Sequence, residues 1–412
     1  MHGVQQTQRT LVGVAEHRAR VAALIPPTPV ERRPVGDCLG LALATDLESP
    51  IALPPFDNSA MDGYAVRSVD VATAAPEAPV SLPVAEDIPA GRGDVPPLLP
   101  GTAHRIMTGA PVPSGADAVV PVESTDGGVS EVLVRAAARP GAHIRWAGED
   151  VRTGEVVLPA GIGLGPAQLG LAAAVGADRL AVRRPLRVLV LSTGSELVEP
   201  GQPLRGGQIY ESNGVMLASA VRAAGGTAEL LRFVPDDVDA FHRALAPWLD
   251  RVDLVLTSGG VSAGAYEVVK EALSGRGVSF HKVAVQPGGP QGLGRYDGGV
   301  PVVTLPGNPV SSLVSFEVFV RPALRAAMGF AETERPRRRA TLVESLRSVS
   351  GKRQYRRGRF DEAAEDTVTV APVGGPGSHL LSALARANCL LEVPENTTDL
   401  PAGSEVTVWL LG

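Results

Sequence analysis

Three segments of the chain each end an apolar run in glycine and hydroxyl side chains. Ser192-Thr193-Gly194-Ser195-Glu196 follows Val190-Leu191, and Thr257-Ser258-Gly259-Gly260-Val261-Ser262 follows Val255-Leu256. The third, Pro306-Gly307-Asn308-Pro309-Val310-Ser311-Ser312, follows Val303-Thr304-Leu305. Glycine lets a backbone approach a phosphate closely, while hydroxyls and helix N-terminal amides bond to its oxygens. One such loop is commonplace, but three of the same chemistry point to an anion or nucleotide pocket. Neither a Walker A sequence nor GxGxxG is present, which removes the P-loop ATPase and Rossmann dehydrogenase readings.

Carboxylates accompany these loops: Glu196 in the first, the pair Asp236-Asp237 after the apolar run 227–233, and Glu267 just beyond the second. Carboxylates beside phosphate oxygens repel them unless a hard cation lies between, and Mg²⁺ is commonly held by one or two carboxylates plus substrate phosphate. The competing reading for Asp236 and Glu267 is a helix N-terminus, where the dipole favours an acid. Glu196, inside the glycine turn, is harder to assign that way. Further polar residues stand in Pro- and Gly-rich surroundings: Asp57, Asn58, Ser59 and Asp62; Arg105 and Thr108; Arg145, Glu149 and Asp150. Taken alone, these read as turn formers and caps.

Positioning three such loops side by side requires a sheet. Residues 187–191, 227–233, 253–257 and 300–305 read as buried strands, and 209–224, 238–249, 266–273 and 310–327 as helices. That alternation implies a parallel, doubly wound α/β sheet, in which ligands bind beyond the carboxyl ends of the strands. Upstream, a helix over 12–25 is stopped by Pro26 and Pro27. Short β-segments at 80–84, 103–107, 118–122 and 132–134 make an all-β insertion, and a helix follows at 166–175. After Arg335-Pro336-Arg337-Arg338-Arg339, which reads as a solvated hinge, strands at 340–344, 367–371, 389–393 and 405–410 form a small C-terminal β-domain. The fold class is therefore α/β and β, multidomain.

Composition bounds the partners. At about 150 residues per domain, 412 residues suggest two to four domains. Thirty-eight basic against 44 acidic residues and only 4% aromatics argue against a nucleic-acid partner. Gly 47 and Pro 36 without a G-X-Y period indicate many turns rather than collagen. Cys38 and Cys389 form no CxxC pair and read as free thiols in a reducing compartment. No signal-peptide core and no run of about 18–20 apolar residues is found, so the expectation is a cytoplasmic protein without a membrane partner.

The segment Pro55-Phe56-Asp57-Asn58-Ser59-Ala60-Met61-Asp62-Gly63-Tyr64-Ala65 resembles the signature of the molybdopterin molybdenumtransferase (MoeA) family, which includes the C-terminal part of gephyrin. So do residues 105–113, Gly148-Glu149-Asp150, the three glycine loops, Gly377-Ser378-His379 and Ala387-Asn388. The resemblance runs in order along nearly the whole chain. It implies an elongated four-domain subunit: residues 1–54 with 143–185 as a discontinuous N-terminal mixed domain, 55–142 as a β-rich insertion domain, 186–330 as an α/β molybdopterin-binding domain, and 336–412 as a C-terminal β-barrel. It also implies a homodimer whose active site is shared between subunits, and insertion of molybdate into adenylylated molybdopterin with release of AMP, dependent on Mg²⁺ or a similar divalent cation. Molybdopterin adenylyltransferase and molybdoenzyme apoproteins are the protein partners it suggests.

By that resemblance Asp62, Thr108, Arg145 and Asp150 supply the partner subunit's half of the site. Glu196, Asp236 and Glu267 place the divalent ion and the phosphoanhydride. Thr193, Gly194, Ser258, Gly259, Gly260 and Ser262 bind substrate, Pro306, Gly307, Asn308 and Pro309 shape the pterin pocket, and Arg145 with Ser378 binds oxyanion. Lys282 helps to balance charge. Two positions depart from the pattern: many relatives carry Asp where this chain has Ala265 and Lys where it has Gly289. The departures leave room for a tungstate-preferring paralogue or a gephyrin-like scaffold. An adenylylating enzyme fits less well, because the chain carries extra β-domains.

Overall fold

The computed structural model describes residues 11–233, 237–260, 268–363 and 367–412. It divides into two compact units, one of residues 1–45, 160–165 and 179–412, the other of residues 46–159 and 166–178. Among the described residues no helix is long and apolar enough to cross a membrane.

The chain opens the first unit with helix α1 (Val14–Leu24). Val30–Pro34 then pairs antiparallel with the distant Arg179–Arg183. Between them lies the second unit, built on a five-stranded sheet of β1 (Gly63–Val66), β2 (Val80–Ile88), β3 (Ala103–Ile106), β4 (Ala118–Pro121) and β5 (Glu131–Val134) in the order β4-β1-β3-β2-β5. All four residues of β1 are buried. Tyr64 and Val66 pack with Leu82 and Val132, while Ala65 packs with Ile88, Ile106 and Val119. This unit also contains helix α2 (Pro166–Ala174), which starts on a proline whose missing N–H costs a helix nothing at that point.

The first unit resumes with a six-stranded sheet: β6 (Arg187–Thr193), β7 (Thr227–Phe233), β8 (Leu254–Ser258), β9 (Val278–Lys282), β10 (Pro290–Arg295) and β11 (Pro301–Leu305). Its order is β7-β6-β8-β11-β10-β9. The four strands expected from the apolar runs are parallel neighbours, as anticipated. The hairpin β9–β10 extends the sheet by two antiparallel strands, β10 against β11 and β9 at the edge. It escapes a sequence reading because Gly292 and Gly294 interrupt any apolar alternation in β10.

Side chains alternate across this sheet. Val188 and Val190 join one core with helices α3 (Asn213–Ala223), α6 (Pro309–Ser315) and α7 (Arg321–Ala327). Leu189 and Leu191 join the opposite core with α4 (Val238–Leu245) and α5 (Val268–Leu273). The expected single helix over 310–327 is three pieces, with a π-helical turn at Phe316–Val320 joining α6 and α7.

The C-terminal strands β12 (Arg337–Leu342), β13 (Arg353–Ala363), β14 (Thr367–Pro372), β15 (Cys389–Val393) and β16 (Glu405–Leu410) close into a barrel. Their order is β13-β14-β12-β16-β15, and β15 returns to pair with β13. Helix α8 (Leu381–Arg386) precedes β15. The basic stretch at 335–339 is not a hinge. Arg337 to Arg339 belong to β12, and Arg335 makes a two-pronged ion pair with buried Glu317 at 2.9 and 3.1 Å.

Candidate functional site

The strand order reverses between β6 and β8, since β6 leads to β7 on one side and β8 is followed outward by β11 on the other. Two adjacent strands whose connections diverge leave a crevice at their carboxyl ends. A cavity of about 870 Å³ opens there. Thr193, Gly194, Glu196, Ser258, Gly259, Gly260, Pro306, Gly307, Asn308 and Pro309 all line it, so the three glycine loops meet at one place.

The loops touch one another. A Cβ on Gly307 would lie 3.3 Å from Gly259 Cα, and one on Gly259 would lie 3.1 Å from the Thr193 carbonyl oxygen. Gly260 adopts a φ of +66°, and a Cβ there would fall 2.7 Å from Val269 Cβ. Only glycine meets both demands without displacing backbone.

A polar network missed in the sequence holds this floor together. Glu211, 4% exposed, accepts from Ser192 Oγ at 3.0 Å and from the Gly214 amide at 2.5 Å. It thereby ties the end of β6 to the first turn of α3. Asn213 donates from Nδ2 to Ser258 Oγ at 2.9 Å and to the Gly307 carbonyl at 2.6 Å. Among the described residues, Glu211 Oε2 and Asn213 Oδ1 are buried without a hydrogen-bond partner. The helix expected over 209–224 hid these residues. In the structure Ile209–Tyr210 pairs with Leu197–Val198, and α3 begins only at Asn213. The signal was Glu211-Ser212-Asn213, polar residues placed where a helix starts.

The remaining expected residues fall as follows. Ser378 adjoins the cavity, its Oγ accepting from Asn308 Nδ2 at 2.8 Å, and its neighbour His379 lines the wall. Lys282 is exposed at the end of β9 and does not line the cavity; its carbonyl accepts from the Val12 amide. Asp236, Ser262, Glu267 and Ala265 lie outside the described residues. Among the described lining residues the carboxylates are Glu196 and Glu211 and the one imidazole is His379, with no lysine or arginine. No cluster of three metal-ligating side chains occurs among the described residues.

The second unit gathers the other motifs. Asn58 pairs with Arg145 on one side and bridges to Pro111 on the other. Ser59 exchanges backbone hydrogen bonds with Ala110 and Gly109. The Ala147 amide donates to Asp57 Oδ1 at 2.8 Å and the Trp146 amide to Glu149 Oε2 at 3.0 Å, so these two carboxylates are turn formers as expected. Asp62 Oδ1 accepts from the Thr108 amide at 2.7 Å and from its hydroxyl at 2.9 Å. Those two bonds, the amide foremost, hold the Asp62 pKa below its ordinary value. Arg145 and Asp150 are exposed, with no side-chain partner among the described residues.

Comparison with known proteins agrees along the whole chain. Residues 12–176 match the MoeA N-terminal region (domain I and II), 189–326 the "Probable molybdopterin binding domain", and 339–411 the MoeA C-terminal region (domain IV). Over 403 residues the chain is 55% identical to molybdopterin molybdenumtransferase 2 of Mycobacterium tuberculosis, covering 96% of this chain and 98% of that one. It is 39% identical over 420 residues to molybdopterin molybdenumtransferase 1 of the same organism, covering 97% and 98%. The crystal structure of the molybdopterin biosynthesis MoeA protein from Pyrococcus horikoshii superposes with a TM-score of 0.80 at 30% identity, covering 97% of this chain and 100% of that one. The signature around Asp62, the three converging loops and the closed C-terminal barrel thus have one explanation: this chain belongs to the molybdopterin molybdenumtransferase (MoeA) family.

Proposed function

We propose that this chain inserts molybdate into adenylylated molybdopterin, releasing AMP and molybdenum cofactor. The observation that carries the reading is the cavity itself: three glycine and hydroxyl loops converge at the carboxyl ends of β6, β8 and β11 with no lysine or arginine among the described lining residues. Phosphates there are bound by backbone amides and hydroxyls. Such a cavity leaves part of the anionic charge unbalanced. A divalent cation held by Glu196 with Asp236 and Glu267 supplies that balance, and Glu196 stands in the lining where it is needed.

The reading extends to a homodimer in which Asp62, Thr108, Arg145 and Asp150 of one subunit complete the cavity of the other. It keeps the four-domain division drawn from the sequence, with molybdopterin adenylyltransferase as the supplier of substrate. The free, buried thiols of Cys38 and Cys389 suit a cytoplasmic protein.

The direct test follows AMP release from adenylyl-molybdopterin with Mg²⁺ and either molybdate or tungstate. A scaffold protein releases none, and a tungstate-preferring enzyme inverts the order of the two oxyanions. Glu196→Gln is expected to fold normally and turn over about tenfold more slowly, the loss of one charge-assisted contact; unchanged turnover would remove Glu196 from the site. Mixed dimers of Asp62→Ala and Glu196→Gln subunits are expected to regain activity. Proven heterodimers without it would count against a shared cleft.

A further inference from the structure

Behind the cavity wall runs a line of buried polar side chains that the proposed reaction does not use. It starts at His281 on β9, half-buried, whose Nε2 lies 3.0 Å from His17 Nδ1 on α1. His17 is fully buried, edge-on to Phe319 with ring centroids 4.6 Å apart. Gln291 of β10, 1% exposed, stands directly opposite His281 in the β9–β10 register, beside the His281–His17 contact. Gln291 donates from Nε2 to the Gly288 carbonyl at 2.8 Å and to Ser315 Oγ at 2.7 Å. Gly288 is part of the cavity wall.

The donors and acceptors fix the direction of this line. Both Gln291 N–H groups are committed, which leaves its Oε1 as an acceptor with no hydrogen-bond partner among the described residues. His17 Nε2 is likewise without a partner there, and Gln291 faces His281, the hydrogen-bonded neighbour of His17, across the β9–β10 pair. The matching arrangement is His281 Nε2–H to His17 Nδ1, then His17 Nε2–H to Gln291 Oε1. That requires a neutral His17. Burial, then the neighbouring His281 and Arg20, lower its pKa to about 3. Leaving a buried donor and acceptor unmatched is costly, so the pair has a reason to close.

We propose that His281, His17 and Gln291 form a relay of hydrogen bonds that sets the Gly288 carbonyl in the cavity wall, making Gln291 and His17 positioning residues for ligand binding. The idea deepens the functional reading above and rests on it for the identity of the ligand. It means that the seating of α1 on the sheet edge tunes the cavity from behind.

The test uses the full chain, with the fluorescence of adenylyl-molybdopterin reporting affinity and amide exchange followed by mass spectrometry over residues 288–292. Gln291→Met keeps the size but loses both donors. It is expected to weaken binding about tenfold, the scale of one lost buried hydrogen bond, to raise KM with kcat nearly unchanged, and to speed exchange in that segment alone. His17→Leu is expected to do the same, His17→Gln, which retains a donor, to restore most of the affinity, and the double variant Gln291→Met with His17→Leu to be no worse than either single change. Wild-type affinity and exchange in Gln291→Met would overturn the relay, as would losses that simply add in the double variant. If Gln291→Met does not fold, the His17 pair decides the question alone. Should the wild-type chain bind no adenylyl-molybdopterin, the functional reading fails, while the exchange comparison still judges the relay.

Discussion

Asn213 and Gly307 are joined by a 2.6 Å hydrogen bond from the side-chain amide to the glycine carbonyl. The same nitrogen reaches Ser258 Oγ, so one residue at the start of α3 spans the loops after β8 and β11. Asn213→Ala leaves a carbonyl and a hydroxyl in the cavity floor without that donor. The expected cost is about 1–2 kcal/mol of stability, read by urea unfolding, with at least a tenfold fall in kcat/KM. Asn213→Asp preserves the shape but sets a carboxylate against the Gly307 carbonyl, and is expected to lose more activity than alanine. Turnover within twofold of wild type in both variants would make the contact incidental.

Asp62 titrates below an ordinary aspartate because Thr108 donates twice to its charged form. A lowered folded-state pKa contributes stability that is present above the unfolded value and lost as pH falls through the lower folded one. Thr108→Val removes the hydroxyl donor and keeps the amide. The Asp62 carboxyl, followed by ¹³C NMR, is expected to titrate higher in this variant but still below a free aspartate. Titration at the wild-type position would mean that the amide alone sets it.

His17 carries the opposite consequence. Its folded pKa of about 3 lies below the ordinary 6.5, so between those values the unfolded chain binds a proton that the folded chain refuses. Stability therefore drops as pH falls from about 6.5, by at most about 1.4 kcal/mol per pH unit from this group. His17→Gln is expected to flatten that slope relative to wild type in urea melts at pH 7 and pH 5. An identical slope in both proteins would show that His17 keeps its proton uptake on folding.

Gly288, in the cavity wall, and its neighbour Gly289 respond differently to a side chain. Gly288 has a φ of +102°, and a Cβ there would meet Ser315 Oγ at 2.6 Å. Gly288→Ala is expected to destabilise the fold by more than about 1 kcal/mol. Gly289 has no such backbone constraint, and its nearest neighbour for a Cβ is the Val283 carbonyl at 3.4 Å, an ordinary contact. Gly289→Lys should therefore fold like wild type. If a cationic side chain at this position reaches the oxyanion, as the resemblance to the family implies, Gly289→Lys lowers the KM for molybdate about tenfold, the worth of one charge-assisted contact; an unchanged KM would mean this chain balances the oxyanion by other groups.

Much of this arrangement was legible in the residues because local period and loop chemistry agree. The runs at Val188–Leu191 and, but for Thr304, Val302–Leu305 are apolar stretches that only a sheet covered on both faces can bury, and the glycine loops follow directly from their ends. Less could be read where a strand's burial depends on distant partners. Strand β13 carries Arg353, Arg356, Arg357 and Arg359, an unlikely strand on pattern. Yet Arg357 is 4% exposed because its guanidinium is spent on the carbonyls of Val373, Gly375 and Gly377. The same holds at the site: Thr193 and Gly259 announce themselves by type, whereas Glu211 and Asn213 matter through bonds to Ser192, Ser258 and Gly307 that no spacing encodes.

The pairing of Val30–Pro34 with Arg179–Arg183 has a consequence for biogenesis. As the polypeptide leaves the ribosome, the early strand must wait for all of residues 35–178 to emerge before its mate exists. Residues 46–159 and 166–178 among them form a compact unit of their own, free to settle first. Vectorial synthesis thus favours an order in which the inserted unit matures early and the unit bearing the cavity is finished last, when β16 arrives to seal the barrel.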